Sequence, residues 1–306
     1  MQLLTVDERG EGQRVDNYVL RHLPDIPKTR LYRAMRKGEI RVNKGRVKPD
    51  RRLSLGDIVR LPPLGAHEKT PAAVAPAGWQ ERLASGVILD DERLLVIAKP
   101  SGLAVHGGSG LNFGMIETLR DMYPQQRNLE LIHRLDRETS GLILIAKRPA
   151  VLRELHGLLR RREGVDKRYL ALVAGRWPKA VSQVEAPLEK TERSSGERVV
   201  RVSKGGKDSL THFRVQQSFA HATLLEGRPV TGRTHQIRVH AQHAGHPIVG
   251  DDKYASDAST ALTRRLGAKR LFLHAHRLRF KLDGEAYDLE APLDEELKQL
   301  LEKLAN

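Results

Sequence analysis

The sequence contains no cysteine, which excludes disulfide bonds, thiolate metal sites and a cysteine nucleophile. It also lacks a run of about 18 apolar residues, the length that a membrane helix needs. Residues 1–20 lack the uninterrupted apolar region of a signal peptide. We therefore expect a cytoplasmic protein that does not associate with membranes. A length of 306 residues, 39% of them apolar, favours one large and one small domain.

Signatures of nucleotide cofactors and of serine hydrolases are missing as well. The chain has no Walker-type phosphate loop, no glycine-rich fingerprint after a strand and no Gly-x-Ser-x-Gly elbow. Residues 106–114, with the sequence HGGSGLNFG, are rich in glycine, but their spacing does not match a nucleotide-binding loop. We expect no nucleotide cofactor and interpret this segment as a loop that borders the functional site.

Acidic residues are outnumbered, with 38 Asp and Glu against 53 Lys and Arg, for a net charge of +15. Such an excess favours a polyanionic partner, and nucleic acid comes first because no amphipathic membrane-binding helix stands out. The charge is concentrated in residues 1–63, which hold 15 Lys and Arg against 8 Asp and Glu. A basic protein that is merely soluble is the alternative, and this concentration makes it less attractive.

Residues 1–63 predict a small unit of their own, with a helix over 30–37 that Thr29 caps. Leu31 and Met35 share one face of this helix at i and i+4. Short alternating segments after it predict a tight sheet. A row of cations on the other helix face suits contacts with RNA phosphates, although a solvated face is the simpler alternative. These cations are Arg30, Arg33 and Lys37.

The rest of the chain predicts a linker and a larger domain. Residues 64–83 begin with a stretch that is rich in proline and alanine and has no periodicity, which is typical of a linker. In residues 84–306 strand patterns outnumber helical patterns, and several neighbouring strands look hairpin-linked. We therefore predict an α+β domain with a mixed, largely antiparallel sheet flanked by helices.

Asp136 lies between two apolar runs in LIHRLDRETSGLILIAK, residues 131–147. A carboxylate at the edge of a core costs several kcal/mol unless a cation or hydrogen bonds compensate it. Held ionised in this way, it can act as a nucleophile or a base. The alternative is that Asp136 only caps the turn DRETSG by accepting hydrogen bonds from backbone amides.

A second motif, PVTGRTHQIRVHAQHAGHPIVGDDKY at residues 229–254, offers the missing cation. We predict that Arg233 pairs with Asp136 through a bidentate contact. The histidines of this motif also raise a metal site as a hypothesis. No two of its histidines stand at i and i+4 and no thiolate is available, so we expect no bound metal. The candidate ligands are His235, His240, His243, His246, Asp251, Asp252, His274 and His276.

A third motif, KRYLALVAG at residues 167–175, places Tyr169 among basic residues at the start of a predicted strand. Its ring could stack on a nucleic-acid base. A half-buried strand tyrosine is the alternative on local pattern alone.

Four motifs in this order resemble the RluA family of pseudouridine synthases: HRLDRETSGLILIAK, KRYLALVAG, TGRTHQIRVHAQHAGHPIVGDDKY and RLFLHAHRLRF. Residues 1–63 resemble an S4 RNA-binding domain. VHGGSGLNFGMIE and the overall layout are similar to a branch that acts on large-subunit ribosomal RNA. The resemblance implies isomerisation of uridine to pseudouridine, expected at several sites of 23S ribosomal RNA, by a monomer that needs no cofactor and no metal.

The resemblance also implies roles for individual residues. Asp136 matches the catalytic aspartate, which acts by covalent attack or as a base at C2′ that gives a glycal. Arg233 matches the basic residue paired with that aspartate, and Tyr169 the aromatic residue that stacks on the target base. Arg134 matches an arginine that enters the RNA as the uridine flips out. The remaining expected contacts are His133 and Arg238 with RNA and Ile237 as a pocket-lining residue.

Two other functions are compatible with the residues alone. One is a non-catalytic RNA-binding protein, such as a ribosome assembly factor, that works through residues 1–63. The other is a metal-dependent phosphodiesterase built on the histidines with Asp251 and Asp252.

Overall fold

The structure is a computed structural model. It describes residues 1–23, 26, 28–63, 78–107, 113–126, 128–193 and 197–305, with the backbone alone at 28 and 29. The chain divides into two compact units, Met1–Ala73 and Val74–Asn306. Within the described ranges no helix has the length and apolar character needed to cross a membrane. Most of the predicted linker, residues 64–77, and most of the predicted glycine-rich loop, residues 108–112, lie outside the described residues.

The first unit combines two helices with a small antiparallel sheet whose strands run in the order β1-β4-β2-β3. Its elements are β1 (Gln2–Thr5), α1 (Val15–His22), α2 (Lys28–Lys37), β2 (Arg41–Val42), β3 (Gly45–Arg46) and β4 (Ile58–Leu61). Leu31 and Met35 of α2 are buried in the core of this unit, as their spacing predicts. Helix α2 begins at Lys28, so Thr29 lies inside the helix and is not its cap. This corrects the predicted helix start.

The second unit contains the remaining helices and strands. The helices are α3 (Trp79–Ala84), α4 (Met115–Met122), α5 (Pro149–Arg161), α6 (Gln236–His243), α7 (Asp257–Leu266) and α8 (Glu295–Ala305). The strands are β5 (Val87–Asp90), β6 (Leu94–Lys99), β7 (Glu130–Leu131), β8 (Ser140–Ala146), β9 (Val165–Ala174), β10 (Gln183–Glu185), β11 (Leu188–Glu192), β12 (Arg198–Val202), β13 (Leu210–Ser218), β14 (Ala222–Pro229), β15 (Leu273–Leu282) and β16 (Glu285–Glu290). Helix α3 falls at the end of the predicted linker, and its Leu83 is fully buried in the core of this unit. The C-terminal part of that linker therefore belongs to the second unit.

One mixed sheet organises the second unit, in the order β10-β13-β14-β9-β15-β8-β6-β5, with β16 beside β15 and β7 beside β8. Its described strand pairs are antiparallel except β8 with β15, which is parallel. The α+β class and the largely antiparallel sheet are therefore confirmed. Strands β6 and β8 are buried on both faces, because alternate residues enter two separate apolar clusters. This explains why their sequences are almost continuously apolar.

Gly141 makes the parallel pairing of β8 with β15 possible. Its φ is 105°, a region that residues with a side chain rarely adopt. A Cβ at this position would stand 2.3 Å from the carbonyl oxygen of Ala275 on β15. The close approach fixes the start of β8, which is the strand that follows the loop carrying Asp136.

Candidate active site

The loop that carries Asp136, residues 132–139, leaves β7 and enters β8. The backbone N–H of Ile132, the first residue of the loop, donates to the carbonyl of Leu144 at 3.0 Å. Leu135 is buried, while the Asp136 side chain keeps 22% of its surface exposed. The amide of Thr139 donates to the Asp136 carbonyl at 3.2 Å and closes the turn. Packing on one side and the turn on the other hold the carboxylate at the edge of the core.

The buried ammonium group of Lys99, at the end of β6, connects this loop to the segment 100–103. Its Nζ donates to the carbonyl oxygens of Pro100 at 2.9 Å, Leu103 at 2.8 Å and Arg137 at 3.0 Å. Burial lowers the pKa of Lys99 to about 7. No sequence pattern indicates this residue, because a lysine that bonds only to carbonyls has no partner with a recognisable side chain.

The carboxylate of Asp136 accepts no hydrogen bond from any backbone amide in the described part of the chain. Asp136 therefore does not cap the turn DRETSG through its side chain, and the capping alternative is excluded. Two side chains stand close to it: His235 Nε2 and Arg238 Nη1 are each 3.8 Å from its Oδ2. Oδ2 is thus close to positive charge and polar hydrogen but is not held by a short bond.

Arg238 is the arginine beside Asp136, and this corrects two predictions. Its side chain is only 2% exposed, and its Nε and Nη2 donate to the two oxygens of Asp251 at 2.7 and 2.8 Å. Arg238 is therefore too buried to contact RNA, and its predicted RNA contact is wrong. The predicted partner, Arg233, instead donates from Nε to the carbonyl of Asp208 at 3.1 Å. Arg233 precedes α6. Arg238 lies in the first turn of that helix, and this position directs its side chain towards the loop that carries Asp136.

Electrostatics keep the Arg238 guanidinium charged. Burial works to lower its pKa, but hydrogen bonding to Asp251 and the charges of Asp251 and Asp136 outweigh burial and raise the pKa. Asp251 also accepts backbone hydrogen bonds from Lys253 and Tyr254, at 3.0 and 3.1 Å. Asp251, a candidate metal ligand from the sequence, is thus a buried residue that positions Arg238.

Gln236 anchors the turn before α6. Its Oε1 accepts from the Thr231 hydroxyl at 2.6 Å and from the backbone of Arg233 at 3.0 Å. Its Nε2 donates to the carbonyl of Leu210 at 2.9 Å and to the Thr211 hydroxyl at 3.0 Å. These bonds attach the start of α6 to strand β13, so that the helix holds Arg238 in one orientation.

Tyr169 lies near Asp136 on strand β9, where it pairs with Gly227 of β14 and Ala275 of β15. Burial raises the pKa of its phenol, and the negative charge of Asp136 raises it further. The phenol therefore stays protonated at neutral pH. Ile237 is buried at 5% exposure, in the apolar cluster against which Tyr169 packs. The stacking role of Tyr169 and the lining role of Ile237 stay predictions.

His133 has a structural position, and its predicted RNA contact remains untested. Its Nε2 accepts the backbone N–H of Leu144 at 3.1 Å. Burial lowers the pKa of His133 to about 3, and the charge of Lys167 adds to this effect. The ring is therefore neutral and supports β8. Arg134, the next residue, is exposed, and its predicted entry into RNA remains untested.

Three other histidines of the motifs have partners within the fold. His240 contacts the hydroxyls of Ser209 and Thr211, at 3.0 and 2.9 Å, and His246 contacts the carbonyl of Ala174 at 2.8 Å. His274 contacts the hydroxyl of Ser140 at 2.9 Å. No group of three or more His, Asp or Glu side chains in the described ranges is placed to hold a metal ion.

Exposed cations cover one face of helix α2 in the first unit. Arg30, Arg33 and Lys37 are exposed opposite Leu31 and Met35, so the predicted amphipathic arrangement is confirmed. Lys37 stands 3.9 Å from Glu39, a surface pair that adds little stability. Whether these three cations contact RNA remains a prediction.

Comparisons with known proteins agree with this arrangement. The family model described as RNA pseudouridylate synthase matches residues 93–243, and the S4 domain model matches residues 13–59. Ribosomal large subunit pseudouridine synthase C from Pasteurella multocida (strain Pm70) is 51% identical over 304 residues, 98% of this chain and 93% of that protein. The protein of the same name from Escherichia coli (strain K12) is 52% identical over 308 residues, 99% of this chain and 96% of that protein.

A solved structure extends the comparison to the fold. Human RNA Pseudouridylate Synthase Domain Containing 4 has a TM-score of 0.60 and 27% identity, covering 74% of this chain and 95% of that one. An S4 domain together with an RNA pseudouridylate synthase domain defines an RNA-modifying enzyme. The chain belongs to the RNA pseudouridylate synthase family.

Proposed function

We propose that this chain converts uridine to pseudouridine at several sites of 23S ribosomal RNA, with Asp136 as the catalytic carboxylate. The observation that carries the proposal is the state of this carboxylate. It is partly exposed, free of backbone hydrogen bonds in the described residues, and 3.8 Å from the buried guanidinium of Arg238. The relatives in Pasteurella multocida and Escherichia coli bear the name of a large-subunit enzyme, which supports ribosomal RNA as the substrate.

The reaction needs one ionised carboxylate and no redox partner. The N1–C1′ bond of uridine breaks, the uracil turns, C5 bonds to C1′, and the proton on C5 is lost while N1 gains one. Asp136 assists either by covalent attack or by removing the C2′ proton to give a glycal. Arg238 stabilises charge on the carboxylate in a site of low dielectric constant, where a fixed cation acts most strongly.

The target base must leave its stack before it reacts, which costs a few kcal/mol. Tyr169 stacks on the flipped base, and its protonated phenol adds no negative charge beside Asp136. The exposed Arg134 takes the place of the uridine in the RNA. Cations of α2, in the S4 domain, bind phosphates and offset the cost.

The proposed division of labour follows the domains. Residues 1–63 form the S4-like RNA-binding domain, and the catalytic domain, predicted to begin at residue 84, also includes helix α3. Helix α3 at the end of the connecting segment packs within the catalytic unit. We propose that the enzyme acts as a monomer in the cytoplasm.

Replacement of Asp136 by Asn tests the carboxylate. Asn keeps the size and much of the hydrogen bonding, so RNA affinity should stay within about twofold while pseudouridine formation on a 23S transcript disappears. Asp252→Asn, at an exposed aspartate of the second motif, is the control and should keep full activity. Normal turnover in Asp136→Asn would remove this residue from the mechanism.

A substrate deuterated at C2′ separates the two routes. The glycal route breaks the C2′–H bond, so single-turnover rates should show a primary isotope effect. Direct attack leaves this bond intact and should show none. Either outcome selects one role for Asp136.

Mapping pseudouridines in RNA from cells that lack the gene tests the substrate. We expect uridines to replace several pseudouridines in 23S ribosomal RNA. The wild-type gene should restore them and the Asp136→Asn gene should not. Loss of pseudouridine only from another RNA would refute the proposed substrate.

A further inference from the structure

Two side chains beside Asp136, His235 and Tyr254, have no role in the function proposed above. His235 Nε2 stands 3.8 Å from Asp136 Oδ2, and its Nδ1 is 2.6 Å from the hydroxyl of Tyr254. The two rings meet edge to face, with centroids 5.5 Å apart. Tyr254 is buried at 4% exposure. The imidazole thus bridges a buried phenol and the reactive carboxylate.

The hydrogen bonds of Tyr254 determine which imidazole nitrogen carries the proton. Its hydroxyl oxygen accepts the backbone N–H of Val200 at 2.9 Å. His235 Nδ1 is the only acceptor for the phenol's own proton among its partners in the described residues. A neutral imidazole that accepts at Nδ1 carries its hydrogen on Nε2. That N–H faces Asp136, whereas the other tautomer would turn a lone pair towards a carboxylate.

Burial keeps the His235 ring neutral. Burial lowers its pKa, Arg238 and Lys253 act in the same direction, and Asp136 and Asp251 oppose them. Within 4 Å, among the described residues, the carboxylate therefore meets one full positive charge, from Arg238, and one neutral N–H. A second cation would bind the carboxylate more tightly and make it less reactive.

The backbone of His235 is a second, independent observation. Its φ of 53° and ψ of 20° lie in the left-handed region, which only a few per cent of residues other than glycine adopt. Such outliers persist where the surrounding structure requires them, often at functional sites. Here His235 precedes the first turn of α6, and its backbone conformation directs the ring towards the loop of Asp136.

We propose that His235 is a positioning residue that donates its Nε2–H to Asp136 Oδ2, with its tautomer set by Tyr254. The contact is longer than a hydrogen bond in the free enzyme, and such bonds often tighten when substrate docks. The neutral donor orients Oδ2 towards the sugar without competing with the reaction. This role rests on the proposed function, but the tautomer of His235 does not depend on it.

Nuclear magnetic resonance of the full chain with ¹⁵N-labelled histidine tests the tautomer directly. The His235 signals are assigned by their loss in His235→Gln. We expect the Nε2–H form in the wild type and a mixture of tautomers in Tyr254→Phe. An Nδ1–H form in the wild type would overturn the proposal whether or not the chain acts on RNA.

Kinetics on an unmodified 23S ribosomal RNA transcript test the donor. His235→Leu removes it and should lower kcat about tenfold to a hundredfold, the cost of a misplaced reacting group, with KM within twofold. His235→Gln offers a neutral N–H donor and should recover most of the loss. His243→Leu, at an exposed histidine of α6, is the matched control and should behave like wild type.

Wild-type turnover in His235→Leu would overturn the proposal, and so would equal losses in the Leu and Gln variants. Circular dichroism and thermal unfolding identify variants that fail to fold. For any such variant, the tautomer of the wild-type ring still decides the question. Loss of activity in Asp136→Asn together with full activity in His235→Leu would leave the proposed function standing without this positioning role.

Discussion

Arg238 hydrogen-bonds both oxygens of Asp251, at 2.7 and 2.8 Å, and both groups are almost completely buried. The pair uses Nε and Nη2 of the guanidinium and leaves Nη1 for Asp136. Only a planar fork of donors can serve two carboxylates in this way. Asp251 therefore determines where the positive charge beside Asp136 lies.

Arg238→Lys should nearly abolish turnover, because an ammonium group cannot hold Asp251 in a bidentate contact and also face Asp136. We expect a loss of at least about a hundredfold in single-turnover rate, in line with the loss of one fixed electrostatic donor. Removing the charge altogether, in Arg238→Met, strands a buried carboxylate and should lower the free energy of unfolding by about 3–5 kcal/mol. Urea unfolding and rate measurements separate these two effects.

Arg233→Lys is the comparison for this prediction. Its guanidinium donates to a backbone carbonyl, which an ammonium group can also reach, so the loss of activity should be much smaller. A larger loss in Arg233→Lys than in Arg238→Lys would restore Arg233 as the partner of Asp136.

His133→Gln should change how stability depends on pH. The folded pKa of His133, about 3, is below the unfolded value of about 6.5. The unfolded chain therefore binds a proton between these values that the folded chain does not. The contribution of this residue is present above about pH 6.5 and is lost as pH falls towards 3, by up to about 1.4 kcal/mol per pH unit.

Glutamine can accept the Leu144 amide and does not titrate. Urea unfolding at several pH values between 7.5 and 4.5 should therefore show wild type losing more stability than His133→Gln. RNA affinity at neutral pH should be the same in both proteins. Parallel pH curves would show that His133 titrates normally, and weaker RNA binding by the variant would support the predicted contact.

Sequence patterns predicted the features that are visible in a short stretch of the chain. Asp136 stands out because a charged turn interrupts two apolar strands, and the sheet class follows from strand periodicity. The choice between Arg233 and Arg238 was wrong because both lie in one motif, five residues apart. Which of the two arginines faces Asp136 depends on the residue at which α6 begins. The left-handed backbone of His235 precedes that residue, and no periodicity in the sequence indicates it. Lys99 was missed because it bonds to carbonyls, which every residue has.

Lys99→Met should loosen the loop of Asp136. The variant leaves three carbonyl acceptors without their buried donor, and we expect the free energy of unfolding to fall by roughly 2–5 kcal/mol. Lys281→Met, at an exposed strand position, is the control and should change it by less than about 0.5 kcal/mol.

Hydrogen exchange shows where Lys99→Met acts. The amides of Gly102 and Thr139 donate to the carbonyls of Arg137 and Asp136, so both should exchange faster in the variant at matched global stability. Unchanged protection at these two amides would mean that Lys99 stabilises the core without holding the loop.

Replacing Arg30, Arg33 and Lys37 of α2 together by Gln should weaken RNA binding mainly at low salt. Each cation that neutralises a phosphate adds about 0.7–0.9 to the slope of log affinity against log salt concentration. Loss of all three contacts should therefore reduce the slope by about 2–3. The side chains are exposed, so the fold should survive, and turnover at saturating RNA should change little.

A second triple variant, at Arg9, Lys44 and Lys48, carries the same change in net charge at exposed positions of the first unit outside α2. If the α2 face binds phosphates, this control should alter the salt slope by less than about 1. Filter binding of a 23S transcript between 50 and 300 mM salt measures both slopes. Equal slopes in the two variants would mean that the first unit attracts RNA through its net charge, with no specific contribution from Arg30, Arg33 and Lys37.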